Sequence, residues 1–191
     1  MNRTAPREDR RQLLLEEAAR LFDAHGYDRT SVRQLADAVG LQSGSLFHHF
    51  DSKESILLAV LEHTIELMIE RLAAAAAAPG DSRQRLEALI RAELELLHGA
   101  TRHGVAVAFF QWRSLSTQSQ QQILKLRERY ETIWLEALEL AHRDGLIVTD
   151  PFLTRRLLTG AHGWTIYWYR PDGSLDLDRL AEEVGRLLTR Q

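Results

Sequence analysis

The stretch Thr30–Phe50, TSVRQLADAVGLQSGSLFHHF, constrains the fold of this chain more than any other. Val32, Leu35, Ala36 and Val39 recur at helical spacing, and Thr30 or Ser31 stands where a side-chain oxygen caps a first turn. Gly40 breaks the run, and a second short amphipathic segment carries Leu41, Leu46 and Phe50 inward. Two short helices joined by a glycine turn form either a helix-turn-helix or a plain helical hairpin with Gly40 as its C-cap, and spacing alone favours neither. With Leu41, Leu46 and Phe50 buried, Gln42, Ser43, Ser45, Phe47 and His48 face outward. That face offers small hydrogen-bonding groups and rings with almost no charge. It suits the floor of a major groove, where side chains meet base edges and thymine methyls.

A helix expected over about Arg7–His25, with the apolar stripe Leu14, Ala18, Leu21 and Phe22, would pack across this pair and complete a three-helix core. Ahead of it, Arg3, Arg7, Arg10 and Arg11 make a basic arm suited to phosphates or a minor groove, although a solvated terminus has the same composition. Asp51-Ser52-Lys53-Glu54 reads as a fresh helix start, with Asp51 as N-cap and Glu54 as its box partner. Lys53 and the first N–H groups of that helix would then receive a phosphate. The helix continues through Leu57, Val60, Leu61, Ile65 and Met68 into the alanines 73–78 and ends at Pro79-Gly80. Its length suggests a lever whose far end moves its near end.

GLQSGSLFHHFDSKESILLAVLE, Gly40–Glu62, resembles the signature of the TetR family of bacterial transcriptional regulators, and the match extends upstream through Ala18, Phe22, Gly26, Thr30, Val32 and Ala36. The resemblance implies an all-α fold. It places a helix-turn-helix DNA-binding domain in residues 1–50 and an effector-binding and dimerisation domain in residues 51–191, with 51–78 as the connecting helix. It implies DNA contacts from Thr30, Ser31, Arg33, Gln42, Ser43, Gly44, Ser45, Phe47, His48, His49 and Lys53. Phe47 stands where the family usually has tyrosine, keeping the ring and losing a hydroxyl for phosphate.

Beyond Gly80 the pattern turns to larger amphipathic helices: one from Asp81 to about His98, a compact one at VAVAFFQW, and a long one to about Arg143 after a polar loop at Ser114–Ser119. Asp150-Pro151 starts another, running to Arg170, and the last begins near Asp176. The last two helices carry more apolar surface than a terminal hairpin should expose, and Gly160 with Gly163 would admit a second backbone closely. By the resemblance, this pair forms a four-helix bundle with its copy in a homodimer. Two reading helices ~34–36 Å apart then face successive major grooves of a double-stranded, pseudo-palindromic operator.

Aromatic side chains gather in the same region. Phe109, Phe110, Trp134, Trp164, Tyr167 and Trp168, with Gln111, Arg113 and His162 as polar neighbours, are the candidate lining of an effector pocket; core packing is the alternative for each ring. SGSLFHHF and WYRPDG, Trp168–Gly173, are similar to TetR-type repressors of steroid and fatty-acid breakdown, which makes an acyl-CoA thioester the candidate effector. Arg102, Arg113, Arg155 or Arg156 would then meet its phosphates. The expected output is repression relieved by ligand; activation, or a different hydrophobic ligand, is the alternative.

Charge does not advertise any of this. The net charge is −3, and residues 1–53 hold 8 Lys/Arg against 8 Asp/Glu, so binding must rest on where charges stand. An enzyme is not expected, since there is no G-x-S-x-G, no Gly-rich phosphate loop and no cysteine. Adjacent His48 and His49 point some hundred degrees apart on a helix, so no metal site and no cofactor is expected. The lack of cysteine fits a reducing cytoplasm, and no apolar run is long enough for a membrane. A helical adaptor that does not bind DNA is the rival reading.

Overall fold

The structure, a computed structural model, describes residues 7–46 and 50–189. Expectations placed on Arg3, Phe47, His48 and His49, and on the side chains of Arg7, Arg10 and Ser45, lie outside the described residues. Among those residues the fold is all-α: α1 (Arg7–His25), α2 (Val32–Ala38), α3 (Ser43–Leu46), α4 (Lys53–Ala76), α5 (Ser82–His98), α6 (Arg102–Phe110), a 3-10 turn at Trp112–Ser114, α7 (Thr117–Arg143), α8 (Pro151–Trp168) and α9 (Leu177–Leu188). α7 thus begins inside the stretch expected to be loop.

The chain divides into two compact units. One holds α1–α3, α4 as far as Ile65, and His103–Leu126; the other holds Glu66–Arg102 and the chain from Arg127 onward. In the first, α1 buries Leu14, Leu15, Ala18, Leu21 and Phe22, α2 buries Leu35 and Ala36, and Leu46 and Phe50 are buried beyond them. Each fully buried Leu or Phe of this set contributes about 1.5–3 kcal/mol. α2 ends because Gly40 takes φ +68°, which lets the Leu41 N–H reach the Ala36 carbonyl at 2.9 Å. α6 also joins this unit. Gly104 lies so close to Thr64 that an added Cβ would collide with its hydroxyl, and His103 Nδ1 sits 2.7 Å from the Asp23 carboxylate.

One cap differs from expectation. α4 starts with a reciprocal pair between Ser52 and Ser55, each backbone N–H meeting the other's hydroxyl at 3.1 Å. Asp51 and Glu54 do not form the box, because Glu54 is drawn away: its carboxylate accepts from the Ser116 N–H and the Ser119 hydroxyl, both at 2.9 Å. Those bonds hold the Glu54 carboxyl below its usual range.

In the second unit α8 and α9 both pack on α5. Asp81 caps α5 with Gln84 in a true capping box, and Asp150 caps α8 ahead of Pro151. Asp176 accepts from the Arg179 N–H at the start of α9.

Candidate nucleic-acid interface and effector core

The reading head follows from the burial of its inner face. With Leu46 and Phe50 in the core, Gln42 and Gly44 face solvent, Ser43 is half-exposed, and nothing lies within 4 Å of a Cβ placed on Gly44. Ser31 is exposed as well. It serves as N-cap of α2, its hydroxyl receiving the Gln34 N–H at 3.2 Å while Gln34 Oε1 accepts from the Ser31 N–H at 2.8 Å. Arg33 projects from the same helix with a loose ion pair to Asp37 at 3.7 Å, which leaves its guanidinium available to a phosphate.

Two of the expected contact residues are engaged within the protein. Thr30 is buried, and its hydroxyl donates to the Gly26 carbonyl at 2.8 Å, so it ties the α1–α2 turn together. Lys53 is likewise occupied. Its Nζ donates to the carbonyls of Tyr27 at 2.9 Å and Thr30 at 3.1 Å, and sits 4.2 Å from the centre of the Tyr27 ring. An ammonium held by carbonyls and a ring has already exchanged its water for protein, so its role here is to fasten the turn.

The residues expected to line a pocket are divided between the two units. Phe109, Phe110, Gln111 and Arg113 belong to the first unit, the other five to the second. Trp164, Tyr167 and Trp168 stand on the outer side of α8, 64%, 63% and 46% exposed, and cannot enclose a ligand within that unit. They continue a seam with Leu153, Leu157 and Gly160, at alternating steps of four and three residues. Only Trp134 and His162 are interior.

Those two belong to a buried polar group that sequence reasoning did not assemble. Glu93 on α5 accepts from Arg155 Nη1 and Nη2, both at 3.1 Å, from the Tyr130 hydroxyl, and from His162 Nδ1 at 2.5 Å. Arg155 also donates to Glu131, from Nη2 at 3.1 Å and from Nε at 3.2 Å, and stacks 4.7 Å from the Trp134 ring. Burial alone would push the Glu93 carboxyl up, but the charge of Arg155 and the bond from His162 outweigh it and hold it low. Nearby, His98 Nε2 lies 2.7 Å from the Thr165 hydroxyl, and burial, then the neighbouring His162, push the His98 imidazole below its usual range. Arg155 is therefore excluded as a phosphate ligand: it is 1% exposed and four of its five N–H donors are taken. Arg102, Arg113 and Arg156 remain exposed.

A signal for this group was present. Glu93 falls on the same helical face as Leu86, Leu89, Ile90 and Leu97, and Thr154, Arg155, Leu158, His162 and Thr165 form one buried face of α8. Charged residues at core spacing on two helices call for each other.

Against known proteins, residues 14–60 match the family described as bacterial regulatory proteins, tetR family, and residues 79–191 the tetracyclin repressor-like C-terminal domain. The HTH-type transcriptional repressor KstR2 of Rhodococcus jostii is 34% identical over 183 residues, spanning 94% of this chain and 89% of that protein. The crystal structure of superantigen PfiT is 46% identical with a TM-score of 0.84, covering 98% of this chain and 100% of that one. The structure of AibR in complex with isovaleryl coenzyme A and operator DNA gives a TM-score of 0.85 at 27% identity, over 94% of this chain and 97% of the other.

Proposed function

This chain belongs to the TetR family of bacterial regulatory proteins, and from that we propose that it is a ligand-responsive transcriptional repressor, released from a pseudo-palindromic operator by a small-molecule effector. The observation that carries the reading is the solvent-facing surface Gln42–Ser43–Gly44 above the buried Leu46 and Phe50. Residues 1–50 read the DNA, through Gln42, Ser43, Gly44, Ser45, Phe47, His48 and His49 at base edges and Ser31 and Arg33 at phosphates. Residues 51–191 hold the effector and the dimer contacts, with 51–78 connecting the two functions. α4 is one unbroken helix contributing to both compact units, which supports that linkage.

The repressor is a homodimer. Its contact is the outer seam of α8, with α9, against the same seam of a second copy. A self-complementary apolar row this long would otherwise stand in water. The effector is an acyl-CoA thioester, a reading supported by the likeness to AibR, which was solved with isovaleryl coenzyme A and operator DNA. It binds one arrangement of the dimer better, and that arrangement does not fit two adjacent grooves. The setting is the cytoplasm; among the described residues no helix is long and apolar enough to cross a membrane.

The test is a gel-retardation titration of the protein on DNA from upstream of its own gene at low salt, followed by addition of isovaleryl-CoA. Retardation reversed by the thioester is expected. Failure to retard that DNA at any protein concentration overturns the repressor reading, and retardation unmoved by a panel of acyl-CoAs overturns the thioester.

A further inference from the structure

We propose that Arg11 is a fixed phosphate contact, held at the far end of the reading helix to grip the DNA strand there. This rests on the DNA-binding reading above and adds a residue to it. By sequence Arg11 counts among the four arginines of a basic arm. The structure instead places it inside α1, on the stripe it shares with Leu15, Ala18 and Phe22 at steps of four, three and four residues. Those three side chains are buried, whereas Arg11 is exposed. A guanidinium at the end of a core stripe is tolerated where its stem covers apolar surface and its head reaches water. The Arg11 guanidinium carbon lies 6.0 Å from the centre of the Phe50 ring. Phe50 is buried just beyond α3, and its N–H reaches the Leu46 carbonyl at 2.9 Å. Arg11 therefore stands beside the C-terminal end of α3, while Gln42, Ser43 and Gly44 stand at its N-terminal end.

That position matches the shape of a groove. A helix about 10–12 Å across, lying in a major groove about 12 Å wide, has a phosphate backbone along each flank. Ser31 and Arg33, at the start of α2, serve one flank. Arg11 comes from a different helix and meets the opposite end of α3, so it serves the other. The remaining cations nearby are already engaged. Residues 1–53 hold 8 Lys/Arg, and the described side chains among them are Arg11, Arg20, Arg29, Arg33 and Lys53. Lys53 is held by the Tyr27 and Thr30 carbonyls, and Arg20 pairs with Glu17 at 2.8 Å. Arg33 has Asp37 at 3.7 Å, and Arg29 donates from Nε to the His25 carbonyl at 2.8 Å. Arg11 alone of these makes no side-chain hydrogen bond or ion pair with a described residue. Its planar fork of N–H donors is thus open to two oxygens of one phosphate, the geometry a guanidinium meets better than an ammonium.

The test is a salt series of fluorescence anisotropy with the full chain, on a labelled duplex from upstream of its own gene and on an unrelated duplex of the same length. Arg11→Gln is compared with Arg20→Gln, which removes the same charge from the same helix away from α3. For Arg11→Gln the slope of log affinity against log salt should fall by about one on both duplexes. Its deficit against the parent then shrinks about three- to fourfold between about 50 and 200 mM salt. Arg20→Gln and Arg11→Lys should keep the parent's slope. An unchanged slope for Arg11→Gln overturns the proposal, and so does an equal fall for Arg20→Gln, which traces to net charge alone. A loss confined to the upstream duplex overturns it as well, since a phosphate carries no sequence. Should Arg11→Gln fail to fold, Arg11→Met keeps the cover on Phe50 and the slope is read there. A parent that binds neither duplex removes the DNA-binding reading and Arg11 with it. A parent that binds, with Arg11→Gln indistinguishable from it, removes Arg11 alone.

Discussion

Lys53 shows how one side chain decides between two roles. Its ammonium lies within hydrogen-bond reach of the Tyr27 and Thr30 carbonyls and over the Tyr27 ring, so Lys53→Met removes the fastening while keeping the apolar stem. The expected result in urea unfolding is a loss of about 1–3 kcal/mol, with the salt dependence of operator binding unchanged. A slope reduced by about one would instead make Lys53 a phosphate contact. Glu93 carries the second residue-level prediction. Arg155 and the bond from His162 hold its carboxyl below the usual glutamate range, so its contribution to stability is complete above that range and is lost as pH falls through the lower folded value. Glu93→Gln should cost about 3 kcal/mol near neutrality, because Arg155 loses its one fully buried carboxylate and keeps only the half-buried Glu131. The variant's unfolding free energy, measured from pH 6 down to acid, should also lack that part of the acid slope. A Glu93→Gln protein as stable as the parent would mean that the buried pair is not formed.

At the scale of elements, the close packing of α6 on α4 is open to a direct test. Gly104→Ala drives a methyl into Thr64, and overpacking of this kind costs about 1–3 kcal/mol. Thr64→Ala in the same chain should restore part of it in thermal unfolding, and no recovery would place the strain elsewhere. The seam on α8 yields another prediction: Leu157→Lys with Trp164→Glu should turn the dimer into a monomer in sedimentation without loss of helix content. Persistence of the dimer would move the contact to another face. Much at this scale was legible from sequence. Asp81, Asp150 and Asp176 announce three helix starts because a cap is a local device needing only a short polar side chain at the right offset. Ser52 was passed over in favour of Asp51 because what diverts Glu54 lies some sixty residues away, at Ser116 and Ser119. The seam was half legible: excess apolar surface is visible in the letters, but which rings face out depends on α5 claiming the other side of α8. For the same reason Trp164 and Trp134 looked alike in sequence and have opposite surroundings.

For the whole molecule, the neutral charge balance of the reading region makes binding depend on a few placed cations and on base contacts. Operator affinity should therefore fall with salt on a shallow slope, and a steep slope in a filter-binding series would reveal a phosphate grip that this reading omits. The interior of the second unit has a longer reach. The charges of Glu93 and Arg155 are tolerable in an apolar interior only while both are present. Losing either one strands the other's charge, whereas exchanging both for hydrocarbon would leave a chain that folds at least as well. Descent through single substitutions is thus blocked in both directions. The pair is inherited whole or abandoned whole, and descendants of this gene should fall into two camps with hardly any intermediates between them.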